Sequence, residues 1–395
     1  MRIRGIKTFR FSVPTGQARR AAHTGKPYTP HKTWLLVKVE TDTEISGWGE
    51  ATGEWLAPLV EPTLHELSRL LVDRDPLAVA ALTQDLCDRL PWKGGPVLGT
   101  AIAGINMALY DIAGKAWGVP VHTILGGKRR DRIRVYCSGG LTFTSPEEAA
   151  ERATQHAARG YAGIKGSPLE SRRWPMDHGA IEHCVQCIAT AREAVGPGLD
   201  LFLDTHGSPT PELSIEFAKR AAVYRPVFLE EPVKVGSIDA LMDVTRKSPI
   251  PIATGEKIFT LHDFALLIER RACAYLQPDI THCFGITTLM AIARQAEHNQ
   301  MLIAPHNVAG PVGTAATLNA DAAIPNFLIQ EMIPVFFGQF GRYAEHDWTI
   351  QDGCINVSDR PGLGVEVKEA DLARLPCEPM AYREYRHEDG SWKGW

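Results

Sequence analysis

The stretch LFLDTHG, residues 201–207, decides the fold. It opens as a buried strand, Leu201-Phe202-Leu203, and runs straight into Asp204, Thr205 and His206. Taken alone, a bland reading is preferable: Asp204 caps the next helix and His206 is a satisfied loop histidine. That reading weakens only if the same pattern recurs at a regular interval, and it does.

From about residue 132, apolar strand-like runs alternate with helical patterns. The runs are IRVYCSG, GYAGIKG, LDLFLDT, RPVFLEE, IPIATGE, AYLQPD, QMLIAPH and NFLIQE. Between the third and fourth lies TPELSIEFAKRAAVY, with Thr210 as N-cap, Pro211 at the first helical position, and Leu213, Phe217 and Ala221 on one face. Thr260 caps LHDFALLIERR in the same way. Strand and helix in alternation, with eight strands, predict a (β/α) barrel.

In such a barrel the chemistry gathers at the C-terminal ends of the strands. Lys165 ends the second strand, Asp204 with His206 the third, Glu230 the fourth and Glu256 the fifth. Asp279 ends the sixth, His306 the seventh and Glu331 the eighth. From Asp204 onward the steps are 26, 26, 23, 27 and 25 residues, each the length of one strand, one helix and two loops. Small or apolar residues would serve a mere rim equally well, so the ring as a whole reads as functional.

Charge indicates what the ring does. Asp204, Glu230 and Glu256 fall on adjacent strands, about 4.8 Å apart. Three carboxylates that close repel unless a cation joins them. Oxygen-only ligands suit a hard ion, magnesium before manganese or calcium. His306 and Asp279 fall on neighbouring strands, where the Asp fixes the tautomer and raises the basicity of the other ring nitrogen. His206 offers a second proton-transfer group; of the 14 histidines, only these two are read at strand ends. Glu331, if protonated, can donate to a developing oxyanion; a rim salt bridge explains it equally well. Lys165 holds a substrate oxygen, moves a proton, or merely pairs with Asp204.

The remaining composition sets limits. The 395 residues are 44% hydrophobic and 22% charged, enough for a large core. A net charge of -4 without a long basic block argues against nucleic acid. The start, MRIRGIKTFRFSVP, lacks the apolar run of a signal peptide, and no run of about 18 apolar residues suggests a membrane span. A cytoplasmic protein is expected. The eight cysteines then imply no disulfides, and Cys184 and Cys187, a lone CxxC in a helical pattern, read as core or surface thiols. TWLLVKVETD and ISGWGEA predict an antiparallel hairpin. GTAIAGINMALYDIAGKAWGVP (99–120) predicts a tightly packed helix ended by Gly118 and Pro120.

With these motifs placed, the sequence resembles the enolase superfamily, specifically its mandelate racemase-like subgroup and within it the galactonate- and gluconate-type sugar-acid dehydratases. GWGEA, YDIAGKAWGVPVHTILGG, LDTHG, FLEEPV, IATGEK, LQPDITHCFGIT, APHN and PGLGVEV carry the likeness over nearly the whole chain. The resemblance implies a modified TIM barrel, (β/α)7β, at about 126–350. It implies an α+β capping domain at 1–125, with lid loops at about 15–31 and 53–57, and a C-terminal segment (351–395) packing back on that cap. It implies that Asp204, Glu230 and Glu256 bind Mg2+, that the His306–Asp279 dyad takes the proton α to a carboxylate, and that Glu331 sits opposite. Racemase-like members carry a KxK motif on the second strand. Here Lys165-Gly166-Ser167 lacks the second lysine, which argues against 1,1-proton transfer, whereas LDTHG supplies a histidine on strand three as in the dehydratases.

The implied reaction is Mg-dependent dehydration of a sugar acid to a 2-keto-3-deoxy acid, His306 removing the α-proton and His206 protonating the departing 3-hydroxyl. The substrate is an aldonate, or an aldarate if the lid residues Arg19, Arg20 and Lys26 meet a second carboxylate. The alternative is an epimerase, racemase or cycloisomerase using the same enediolate. A catalytically silent magnesium-binding barrel is a third reading, but it predicts erosion of acid–base groups that are intact. The expected partners are a small sugar acid and copies of the chain itself in a homo-oligomer, with no nucleic acid and no membrane.

Overall fold

The structure, a computed structural model, describes residues 1–16, 30–90, 94–169, 178–380 and 390, with the backbone of 19–20 and 27–28. The side chains of Arg19, Arg20 and Lys26, and most of the lid loop at 15–31, lie outside the described residues.

The N-terminal part is a three-stranded antiparallel sheet of β1 (Ile3–Pro14), β2 (His31–Thr41) and β3 (Ser46–Glu50). The hairpin expected from alternation is present, with Glu40 paired to Ser46 and Leu36 to Glu50. Helices α1 (Ala57–Ser68), α2 (Val79–Asp88) and α3 (Pro96–Trp117) bury their apolar sides against Leu35, Val37 and Val39 of the sheet. The two glycines of GWGE have a steric cause: a Cβ on Gly49 would lie 1.9 Å from the Gly104 carbonyl oxygen, and one on Gly47 2.0 Å from that of Ala108. Sheet and helix therefore touch backbone to backbone. By length and composition α3 could cross a membrane, but 83% of its apolar window is buried inside the protein; its hydropathy is that of a core helix.

The barrel strands are β4 (Arg132–Ser138), β5 (Gly163–Gly166), β6 (Asp200–Asp204), β7 (Phe228–Glu230), β8 (Ile252–Thr254), β9 (Tyr275–Leu276), β10 (Leu302–Ile303) and β11 (Gln330–Met332). Consecutive strands from β4 to β10 pair in parallel, and β11 pairs in parallel with β4. β10 meets the stretch leading into β11 through the parallel bridge Ile303–Phe327. A helix follows each of the first seven strands: α4 (Pro146–Ala157), α5 (His178–Val195), α6 (Pro211–Ala221), α7 (Ile238–Lys247), α8 (Leu261–Glu269), α9 (Ile286–His298) and α10 (Pro311–Ala323). After β11, among the described residues, come only one-turn helices, Pro334–Phe337, Phe340–Tyr343 and Glu369–Leu372, and short strands. This is the (β/α)7β order. Both N-caps read from sequence operate: the Thr210 hydroxyl accepts from the Leu213 amide, and Thr260 from that of Asp263.

Strand parity places the site. Residues two apart on a strand face the same side. Tyr136, Phe202, Phe228, Ala304 and Ile329 form one buried cluster. Each lies two positions before Ser138, Asp204, Glu230, His306 and Glu331 respectively. A hydrophobic layer thus lies one step beneath the polar ring. Its aromatic members are in contact, Phe202 lying 4.7 Å by ring centroid from both Tyr136 and Phe228.

Cap and barrel are joined by an aromatic knot. Trp34 of β2 is fully buried, with ring centroids 5.6 Å from Phe336, 5.8 Å from Phe340 and 5.4 Å from Tyr343. Beyond residue 350, Cys354–Asn356 pairs antiparallel to β4. The chain then crosses to the cap, where the Leu363 amide donates to Asp111 (2.8 Å) and the Ser12 amide to the Pro376 carbonyl (2.9 Å).

Candidate active site

The open end of the barrel holds a cleft of about 80 Å³ lined by Ser138, Lys165, Asp204, His206, Glu256, His306 and Glu331 among others. Most of the predicted ring meets here. Asp279 stands behind His306, and Glu230 is fully buried below.

Asp204 and Glu230 end β6 and β7, which pair in register, and Glu256 follows β8 by two residues. One oxygen from each lies within 4.8 Å of the others, and among the described residues this trio can hold a metal ion. Glu230 Oε1 is buried and finds no hydrogen-bond partner among the described residues. Burial, and then Asp204, push the Glu230 carboxyl up to about 7. A buried, partnerless carboxylate oxygen in an all-oxygen donor set fits a hard divalent cation. Asp204 and Glu256 are also raised by burial, but His206 and Lys165 for the former, and His306 and Lys257 for the latter, bring both below the usual carboxylate range.

Lys165 is almost wholly buried. Its ammonium lies 2.8 Å from Glu230 Oε2, 2.9 Å from Glu331 Oε1 and 3.7 Å from Asp204 Oδ2, so its nearest partners are not the one the sequence reading named. Burial lowers this lysine, but Glu230 and Glu331 raise it well above its ordinary value. It is therefore a fixed cation between the trio and Glu331.

His306 Nδ1 lies 2.6 Å from Asp279 Oδ2, and the Thr281 amide donates to Asp279 Oδ1 at 2.7 Å. The other ring nitrogen, Nε2, lies 3.3 Å from Glu256 and 4.0 Å from Glu331, which line the cleft with it. Burial pushes His306 down, but Glu256, the Asp279 hydrogen bond and Glu331 lift it to about 10. On the other side His206 sits in a left-handed turn (φ 49°), its amide donating to Asp204 Oδ1 (2.9 Å) and its Nε2 lying 2.9 Å from Asp204 Oδ2. Both imidazoles line the same cleft.

For Glu331 the sequence left a protonated donor and a rim salt bridge level. Burial raises it, but Lys165 and His306 pull it below the usual range, and it accepts from the Asn307 amide at 3.1 Å. The geometry shown is that of a carboxylate paired with Lys165 at 2.9 Å and accepting a backbone amide.

Several neighbours escaped the sequence reading. His282 lies past the sixth strand with Nε2 3.9 Å from Asp279 Oδ2 and Nδ1 2.8 Å from the Thr100 hydroxyl of α3. The signal was its place three residues after Asp279. Lys257 contacts Glu231 and lies 2.9 Å from Glu256. Burial and Glu256 push Glu231 up to about 8. Of the two adjacent glutamates in FLEEP, the sequence reading took Glu230, the one that stands with Asp204 and Glu256.

Residues 8–126 match the family model described as the mandelate racemase / muconate lactonizing enzyme N-terminal domain, and residues 148–371 match the enolase C-terminal domain-like model. A D-galactonate dehydratase of Ralstonia pickettii (strain 12J) is 34% identical over 370 residues, covering 92% of this chain and 96% of its own. Among solved structures, a mandelate racemase/muconate lactonizing enzyme from Jannaschia sp. CCS1 superposes with a TM-score of 0.86 at 28% identity, over 97% of this chain and 99% of that one. A member of the enolase superfamily from Salmonella Typhimurium gives 0.84 at 27%, over 94% and 98%.

Proposed function

The chain belongs to the enolase superfamily, within the mandelate racemase / muconate lactonizing enzyme family, and on that premise we propose that it dehydrates a sugar acid, an aldonate before an aldarate, to a 2-keto-3-deoxy acid. The observation that carries the reading is the pair of imidazoles, His206 and His306, lining one cleft with a carboxylate trio that fits a divalent cation. The likeness to D-galactonate dehydratases supports the substrate class.

Asp204, Glu230 and Glu256 would hold Mg2+. When bound, the cation supplies Lewis-acid stabilisation of negative charge on the substrate carboxylate and balances the charge of its three ligands. With a cation there, Glu256 would no longer face His306 as an uncompensated anion, while Asp279 would still orient the ring. His306 Nε2 then takes the α-proton to give the enediolate. Lys165 stays protonated and holds Glu331 at the rim of the cleft. His206, as imidazolium, gives its proton to the 3-hydroxyl, a poor leaving group without it. The resulting enol tautomerises to the keto acid. The absence of a second lysine after Lys165 leaves the face opposite His306 to His206, which favours elimination over 1,1-proton transfer.

The test is a panel of mono- and diacid sugars incubated with the enzyme and Mg2+, with keto-acid formation as the readout. One or a few aldonates should yield a 2-keto acid. Interconversion of stereoisomers without keto acid would replace dehydration by the epimerase reading.

A further inference from the structure

Glu50, the last residue of β3, is fully buried. Its oxygens accept from the Gly310 amide (2.6 Å), the Gly313 amide (2.8 Å) and the Thr52 hydroxyl (2.6 Å). Gly310 and Gly313 open α10, the 13-residue helix after the seventh barrel strand, and its own N-cap residue, Gly310, supplies no side-chain cap. The first amides of a helix need acceptors, and its N-terminus favours negative charge. Here both come from the other domain. The local sequence leaves room for this: a Cβ on Gly310 would stand 2.9 Å from the Trp34 ring and 3.1 Å from Glu50 Oε1, and one on Gly313 2.6 Å from Ala309 Cβ.

Only three residues separate His306 from Gly310. The connection is stiff. Ala309 donates its amide to Asn307 Oδ1 (3.3 Å), the Asn307 amide nitrogen Nδ2 donates to Thr314 in the first turn of α10 (3.1 Å), and the Asn307 backbone amide donates to Glu331 (3.1 Å). One end of this loop is held by barrel strand β10 and the other by Glu50.

We propose that Glu50 is a positioning residue for the His306–Asp279 pair: by capping α10 across the domain junction, it fixes the loop that aims His306 into the cleft and braces Glu331 through Asn307. Its consequence for catalysis rests on the function proposed above. A misplacement of about 1 Å in such a group costs on the order of a hundredfold in rate, so a cap remote from the chemistry has a kinetic signature.

The experiment compares Glu50→Gln and Glu50→Ala with the unaltered holoenzyme. Glutamine keeps the volume but turns an NH2 toward one of the two helix amides. Expected for Glu50→Gln is a fall in kcat of about tenfold or more, KM within about twofold of the unaltered value, and an equal fall in α-proton exchange in deuterated water. Glu50→Ala loses more; if it does not fold, Glu50→Gln carries the test alone. A lowered melting temperature with kcat unchanged would make Glu50 purely structural and overturn the inference. If no sugar acid is turned over by the unaltered enzyme, the function reading fails on its own. The Glu50 inference is then read from amide hydrogen exchange, where Glu50→Gln must lose protection across residues 306–313, and retained protection overturns it.

Discussion

The ends of β6 and β10 deliver an imidazole to one cleft and hold it in opposite ways. His306 takes its partner from a neighbouring strand: Asp279, 27 residues earlier and fully buried, bonds Nδ1 and leaves Nε2 to the cleft. His206 takes its partner from two residues back, in its own strand, and that partner is one of the trio that can hold a metal. A long-range partner fixes the tautomer of a ring whatever else binds. A local partner that is also a candidate metal ligand makes the state of the ring depend on occupancy. The contrast suits a permanent base on one side and a conditional acid on the other.

The strongest test of that contrast removes the permanent member. His306→Asn should lower dehydration by about 10⁴-fold, the upper range for loss of a general base, and abolish deuterium exchange at the α-carbon, followed by NMR. His206→Asn should lower dehydration by about 10³-fold while leaving α-proton exchange measurable. If both variants lose exchange equally, the division of labour between the two sides is wrong. Asp279→Asn keeps the shape and removes the charge that orients His306. It should cost about 10²-fold in kcat, with KM little changed, and a normal rate would show that the buried partner is dispensable.

A gentler test concerns the metal. The Glu230 and Glu231 carboxyls are raised in the folded protein, to about 7 and about 8, mainly by burial. A raised carboxyl contributes stability in full below its unfolded value, near 4.5, and loses that contribution as pH climbs through the folded value. The metal-free protein should therefore melt progressively lower from pH 5 to pH 9. Added Mg2+ should restore stability most at the alkaline end, by about 2.7 kcal/mol when present at roughly a hundred times its Kd. Scanning calorimetry with and without chelator decides it; a Mg2+ effect that shrinks with rising pH would place the cation elsewhere.

The barrel and its ring were legible because each strand–helix repeat has nearly the same length, so polar strand ends recur at a readable interval. Helix starts were legible where Thr210 and Thr260 cap locally. Partners across the fold were not. Lys165 meets Glu230 and Glu331, 65 and 166 residues further on, and only folded geometry brings those partners together. Glu50 was visible only as part of a family motif. Its work lies 260 residues away, on amides that any sequence would supply. The loop at 15–31 stayed unread for another reason: its polar, turn-rich stretch carries no periodicity, and most of its side chains lie outside the described residues.

The layer of Tyr136, Phe202 and Phe228 beneath the carboxylates has a consequence for traffic. Tilted aromatic rings fill the barrel beneath the trio, on the side away from the cleft. On the function proposed above, ion and acid would enter and released water would leave through the same cleft, so their traffic would be coupled.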